Sequence, residues 1–328
     1  MNRRLKWMLV MLCVGVLVAV GLVRRGATIL QSADPAVQPL PVVGFSQMEM
    51  TNPWRIAETR SMQEAARTHG FQLVVRDAES DAQQQIRDCL ELIGLPVDYL
   101  ILAPRLDDGY GKVFEAAAGA GIPVILVDRE TRGVPGLDYA CCITADFERE
   151  GRICAQILAS AFEGRPCDII ELTGTPGSSV AKTRSQAFEE ELKGHANMRV
   201  VMSASGDFVR TTAQETMENL LQHNSTPFQA IFAHDDDTGI GAIQALKKAG
   251  LVPGRDVKVV SIAGQKDALK AIIAGELLSS VECDPRLGEY AFDVIDAIRQ
   301  GVDYDQRIIY TGRIYDKSNA ELYYDQAF

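Results

Sequence analysis

From Val42 onward the chain repeats one unit: a short run of β-branched and apolar residues, a tight turn, then an amphipathic helix. "PVVGFS" leads into "WRIAETRSMQEAARTHG", "FQLVVRD" into "DAQQQIRDCLELIG", and "VDYLILAP" into "GYGKVFEAAAGAG"; "IPVILVD" and "YACCITAD" close this first half. Strands that are apolar throughout, joined through helices by short loops, specify a parallel sheet covered on both faces. The series then restarts. "EREGRICAQILASAF" leads to "CDIIELTG", "SVAKTRSQAFEEELKG" to "MRVVMSASGD", "TAQETMENLLQHN" to "FQAIFAHDD", and "GIGAIQALKKAG" to "DVKVVSIAG". The predicted fold class is therefore α/β: two similar doubly wound parallel-sheet domains with a cleft between them. Residues after Gly264 hold one helix and strand, then a further helix and a terminal strand near Ile308 to Tyr310. That remainder is too small for a third domain. Its pieces must complete the first two, so the chain crosses between them more than once and forms a hinge.

At 328 residues there is enough chain for two cores of this size. The net charge is −11, and the cations Arg3, Arg4, Lys6, Arg24 and Arg25 crowd the amino end. Removing those five charges leaves −16 on the rest, which argues against nucleic acid as a partner. Residues 7–23, "WMLVMLCVGVLVAVGLV", carry no charge and follow the basic start "MNRRLK". A run of that length is short for a membrane span and long for a secretory signal core. Residues 1–30 are accordingly an uncleaved signal-anchor or a cleaved signal peptide, and both export the body. Cys13 follows Leu12 rather than the small residue a lipoprotein signal requires. Residues 31–41, polar and Pro-containing, read as a tether. The body's six cysteines, Cys89, Cys141, Cys142, Cys154, Cys167 and Cys283, lack metal-ligand spacing and read as small buried hydrophobes. One disulfide is compatible with them.

Ligands of open α/β sheets bind at the carboxyl ends of the strands. After the first strand stand Ser46 and then Asn52-Pro53-Trp54-Arg55. Asn52 suits an N-cap and Pro53 the first helical position, which fixes Trp54 either as a packing residue or as a pocket wall. After the fourth strand stand Asp128 and Arg129, an ion pair or a set of acceptors and donors for vicinal hydroxyls. The second half offers Arg184 within "ELTGTPGSSVAKTR", Asp207 and Phe208 in "SGDF", and His234-Asp235-Asp236-Asp237 at a strand end. The glycine-rich turn before Arg184 lacks the Gly-Lys-Ser/Thr ending of a P-loop, and no GxGxxG follows the first strand. The consecutive aspartates fit helix capping better than a calcium loop. No GxSxG elbow or HExxH is present. Neither an enzyme, a cofactor nor a metal is expected. Aromatic rings, arginines and aspartates gathered at a cleft recognise a small polyhydroxylated molecule.

These stretches also carry a resemblance. "VGFSQ" with "WR", "VDYLILAP", "IPVILVDR", "TAD", "CDIIELTGTPGSSVAKTRSQAF", "SGDF", "AHDDD" and "SVE" appear in the order found in the sugar-binding proteins of ABC importers. The chain resembles their ribose-type, or type I, branch, and looks most like its galactofuranose-binding members. The resemblance implies two lobes, residues 42–145 plus 265–282 and residues 146–264 plus 283–328, joined by a three-crossing hinge. It implies Trp54 and Phe208 as plates for a sugar ring, polar contacts from Thr51 and Asn52, and hydroxyl-binding groups in Arg55, Asp128, Arg129 and Arg184. Glu282 would be an acceptor at the hinge. Two positions depart from the family pattern: Asp235 stands where an Asn is usual, and Ala263 where an Asp is usual. One acid is lost and one gained, which fits compensation within one pocket, a different sugar or a weakened site. The family also often pairs a Cys near Cys167 with one in the strand before the His motif; here that strand, "FQAIFAH", has none. The implied partners are a monosaccharide, a furanose such as galactofuranose among the candidates, and an ABC permease. The anchor equally suits a sugar sensor subunit signalling to a histidine kinase. The expected setting is the periplasm or outer face of the membrane, tethered by the amino-terminal segment, as a monomer.

Overall fold

The computed structural model of the protein describes residues 39–328 except Ser225. The expected signal segment, residues 1–30, and nearly all of the tether, residues 31–41, lie outside the described residues. Among those described, no helix is long and apolar enough to cross a membrane.

Pro41–Phe328 forms one compact unit built on two six-stranded sheets. The first sheet runs β11(Arg307–Tyr310)–β5(Cys141–Ala145)–β4(Val124–Val127)–β3(Tyr99–Leu102)–β1(Val42–Gln47)–β2(Gln72–Asp77), with every pair parallel. The second runs β12(Ile314–Tyr315)–β10(Ser279–Glu282)–β9(Lys258–Ala263)–β8(Ala230–Ala233)–β6(Cys167–Thr173)–β7(Met198–Ser205). It repeats the first except at its edge, where β12 pairs antiparallel with β10. In both sheets the chain reverses direction of growth after its first two strands, leaving a crevice at the carboxyl ends of β1 and β3 and of β6 and β8.

Helices α1(Pro53–His69), α2(Ala82–Ile93), α3(Gly111–Ala120) and α9(Gly288–Gln300) belong to the first lobe. The second carries α4(Phe147–Phe162), α5(Ser179–Leu192), α6(Arg210–His223), α7(Asp236–Lys248), α8(Lys266–Ala274) and the short α10(Ala320–Tyr323). Local chemistry fixes where several begin. Asn52, Asp81, Asp146, Ser178 and Asp235 each turn a side-chain oxygen onto an amide of the following turn. The strands β4, β5 and β8 are buried at every position, as sheets covered on both faces require. In the second lobe Phe188 and Phe232 stack with ring centroids 4.1 Å apart. The six cysteines are buried free thiols.

The expected lobe boundaries need one correction. Residues 265–282, expected to complete the first lobe, add α8 and β10 to the second, where β10 pairs with β9. Residues 288–310, expected in the second lobe, supply α9 and β11 to the first: Gly288 N donates to Ser61 Oγ of α1 (2.9 Å) and β11 pairs with β5. Three crossings remain, at 145–146, 283–287 and 311–313. The last two pack closely enough that a Cβ on Gly312 would lie 2.2 Å from the Glu282 carbonyl oxygen.

Candidate functional site

The carboxyl ends of both sheets open on a common cavity, the place where open α/β sheets bind ligands. Its lining includes Asn52, Trp54, Arg55, Asp128 and Arg129 from the first lobe. Val180, Arg184, Phe208, Asp235 and Ala263 come from the second, and Cys283 from the hinge.

The first wall is set by the start of α1. Asn52 Oδ1 accepts from Arg55 N (2.8 Å), and Pro53 opens the helix, so Trp54 and Arg55 project from its first turn. Trp54 is 8 % exposed, and its Nε1 donates to the Cys283 carbonyl (2.7 Å). Arg55 lies over the indole, 4.7 Å from its centroid, and reaches two carboxylates, Glu58 (2.8 Å) and Asp128 (2.5 Å). Burial pulls the Arg55 pKa down, but Asp128 and Glu58 outweigh it and hold the guanidinium above its ordinary value. Burial pushes the Glu58 carboxyl up, though Arg55 opposes it. Asp128 turns inward on a left-handed backbone (φ 63°). Arg129 is 3 % exposed; its Nη1 donates to the Arg105 carbonyl (3.0 Å), and its Nε has no hydrogen-bond partner among the described residues. Burial, then the neighbouring Arg55, pushes Arg129 down to about 10.

On the second wall Arg184 grips Glu150 through Nε (2.9 Å) and Nη2 (2.7 Å), and its Nη1 donates to the His234 carbonyl (2.7 Å). Burial raises the Glu150 carboxyl despite this pairing. Phe208 follows Asp207, and both are left-handed (φ 58° and 54°), a local strain of a kind concentrated at ligand sites. The ring is seated over Gly174, where a Cβ would lie 1.9 Å from Phe208 Cζ; only glycine fits beneath it. Arg129 sits 5.3 Å from the Phe208 centroid, joining the two walls.

Asp235 caps α7, accepting from Thr238 N (2.8 Å). Burial, then Asp237, pushes its carboxyl up to about 7. Behind it Asp236 accepts from Ser261 Oγ, Ser280 Oγ (2.7 Å) and Gln265 N (2.7 Å), while Arg210 grips Asp237 (2.7 Å). These acids are committed to the helix start and hinge, and among the described residues no group of three His, Cys, Asp or Glu could hold a metal.

Of the residues expected at the site, Asn52, Trp54, Arg55, Asp128, Arg129, Arg184, Phe208 and Asp235 line the cavity together. Four do not. Ser46 is fully buried inside the sheet, on the face it shares with Gly44, whose Cα hydrogen side meets Leu92 of α2. Thr51 is exposed, its hydroxyl on Glu49. Asp207 lies beside the lining, its buried Oδ1 without a hydrogen-bond partner among the described residues. Glu282 is held in the hinge by Arg313 N (2.9 Å) and the Tyr315 hydroxyl, away from the cavity. Val180 and Cys283 were not anticipated. Val180 offers no chemical signal; Cys283 follows β10 at a crossing, and a strand end there is the one clue the sequence held.

Two lobes joined by three crossings, with a mixed aromatic and charged cavity between them, define the architecture of a two-lobed ligand-binding protein. The chain belongs to the periplasmic binding protein family, whose domain matches residues 43–302. It is similar to the galactofuranose-binding protein YtfQ of Escherichia coli (strain K12), 35% identical over 271 residues that span 82% of this chain and 85% of that one. The ribose import binding protein RbsB of Bacillus subtilis (strain 168) is 30% identical over 260 residues, 79% and 82% of the two chains. Among solved structures, the periplasmic binding protein component of the arabinose ABC transporter from Shewanella sp. ANA-3, bound to α- and β-L-arabinofuranose, superposes with a TM-score of 0.83. It is 35% identical, covering 87% of this chain and 95% of its own.

Proposed function

We propose that this chain is an extracytoplasmic sugar receptor that captures a monosaccharide, in furanose form, and delivers it to an ABC permease. One observation carries the reading: an indole from one lobe and a phenyl ring from the other line a single cavity with three guanidinium groups and two carboxylates. Flat apolar faces suit the C–H faces of a sugar ring, and paired charges supply donors and acceptors to its hydroxyls. The furanose choice rests on similarity to proteins named for galactofuranose and arabinofuranose. Transport is preferred to sensing because the curated relatives above are named for binding and import. Trp54 and Phe208 are the ring plates in this reading. Asn52, Arg55, Asp128, Arg129, Arg184 and Asp235 are the hydroxyl partners, with Asp235 supplying the acid that Ala263 does not. The amino-terminal segment would tether a monomeric receptor to the membrane.

Thermal unfolding of residues 41–328 against L-arabinose, D-galactose, D-ribose and D-fructose tests the proposal. A ligand present at about 100 times its Kd stabilises the folded state by about 2.7 kcal/mol, a plain rise in the midpoint. No rise with any of these or other monosaccharides would end it.

A further inference from the structure

Beyond the cavity, the first lobe sends one loop across the cleft mouth, residues 103–110 between β3 and α3. Its backbone is stitched down from behind. The buried Gln85 donates through Nε2 to the Ala103 carbonyl (2.8 Å) and accepts through Oε1 from Arg105 N (2.9 Å) and the Tyr110 hydroxyl. The loop therefore travels with its lobe and not as a free flap.

Arg105 faces two ways from this anchored position. Its carbonyl accepts from Nη1 of Arg129, the cavity arginine that lies over Phe208. Its guanidinium Nη2 stands 3.9 Å from Oδ2 of Asp207, the residue directly before Phe208 on the opposite lobe. Two backbone contacts flank the pair: Asp107 N donates to the Gly177 carbonyl (3.2 Å) and Glu130 N to Ser179 Oγ (3.1 Å). The Arg105–Asp207 pair and its two flanking contacts run between the two lobes, whereas the Arg129–Arg105 bond lies within the first. The contacts between lobes can form only with the cleft shut.

We propose that Arg105 is a positioning residue that latches the shut cleft through Asp207 and, through the same residue's carbonyl, holds Arg129 in place when the lobes meet. This rests on the receptor reading above for its ligand, though the latch itself needs none. The pair exists only in the shut form, so it acts on the opening step and hence on ligand release. Arg105 and Asp207 side chains are 17% and 37% exposed, which makes the pair salt-sensitive and moderate in strength.

The test compares wild type, Arg105→Gln, Asp207→Asn and the double variant. Gln keeps part of the Arg stem and its polarity without the charge, and Asn is isosteric with Asp and tolerates the left-handed backbone at 207. Release of L-arabinose and D-galactose is followed by stopped-flow tryptophan fluorescence at low and high sodium chloride. Each single variant should release sugar about two- to fivefold faster, the double no faster than either single, and association should change less. High salt should speed release from wild type and leave the variants unmoved. Additive single effects, or wild-type release in both variants, would overturn the latch. Solution X-ray scattering of the sugar-free proteins separates the two proposals. A larger radius of gyration for the double variant supports the latch even if no sugar binds, and unchanged scattering overturns it even if one does.

Discussion

The two walls of the cavity hold their charged groups in different ways. On the first, Arg55 answers two carboxylates, Glu58 and Asp128, and the Trp54 indole is pinned to the Cys283 carbonyl. On the second, Arg184 has one carboxylate, Glu150, and Asp235 has no cationic partner among the described residues. Phe208 keeps its place by backbone shape and by the absence of a side chain at Gly174. The first wall is a cross-linked platform whose members can lose a neighbour. The second is assembled from single supports, each of which matters alone.

Neutralising the buried carboxylates gives the largest expected contrast. Glu150→Gln leaves Arg184 buried with only the His234 carbonyl and neutral contacts, and breaking such a pair costs about 3–5 kcal/mol. Glu58→Gln leaves Arg55 with Asp128 and relieves the repulsion between the two carboxylates, so about 1–2 kcal/mol is expected. Urea unfolding of both variants measures the difference. Equal losses, or a larger one for Glu58→Gln, would break the comparison.

Gly174→Ala tests the second wall without touching a charge. The added methyl must displace the Phe208 ring or the strand beneath it, and overpacking of this kind costs about 1–3 kcal/mol. Sugar affinity should fall along with stability, because the ring itself is moved. A variant that binds as wild type would show that Phe208 does not define the wall.

The strands and helices of both lobes were legible because apolar runs such as "VILV" and "AIFA" suit only a sheet covered on both sides. What the sequence hid was which sheet the last pieces join. "SSVE" and "RIIY" would pair at either edge, and the path of the hinge alone decides between them. The site divided on similar lines. Trp54 and Arg55 could be located because Asn52 and Pro53 fix the first turn of α1. Ser46 misled because strand side chains alternate, and its position in β1 turns it to the face occupied by α2. Glu282 misled because the next crossing, Arg313 to Tyr315, folds back to claim its carboxylate, a contact of 31 to 33 residues' separation.

The last contrast is in pH. Asp235 on the second wall is pushed up to about 7 by burial and by Asp237, so the folded state keeps a proton that the unfolded chain releases near the ordinary aspartate value. Stability then falls as pH rises from about 4 to about 7, by up to about 1.4 kcal/mol per unit for one proton. Asp235→Asn removes its share of that slope, while Asp236, pushed up to about 6 by burial, sustains a smaller decline below that pH. Unfolding midpoints in urea at stepped pH should become shallower across the window, most clearly just above about pH 6. Beneath the first wall the titrating group is His69, which ties α1 to α9 through Asp296 (2.7 Å) and Glu289 (3.3 Å). Burial works against its charge, but those two carboxylates win and raise its pKa. Its contribution is complete below the unfolded value of about 6.5 and fades as pH climbs through the higher folded value. Glu289 is mostly solvent-exposed, so this smaller term should stay under about 1 kcal/mol. The two windows barely overlap. In Asp235→Asn the decline that survives above about pH 6.5 should therefore vanish on adding His69→Gln. If it persists unchanged, the residual titration belongs elsewhere, and the first wall's support is as insensitive to protons as its paired arginine.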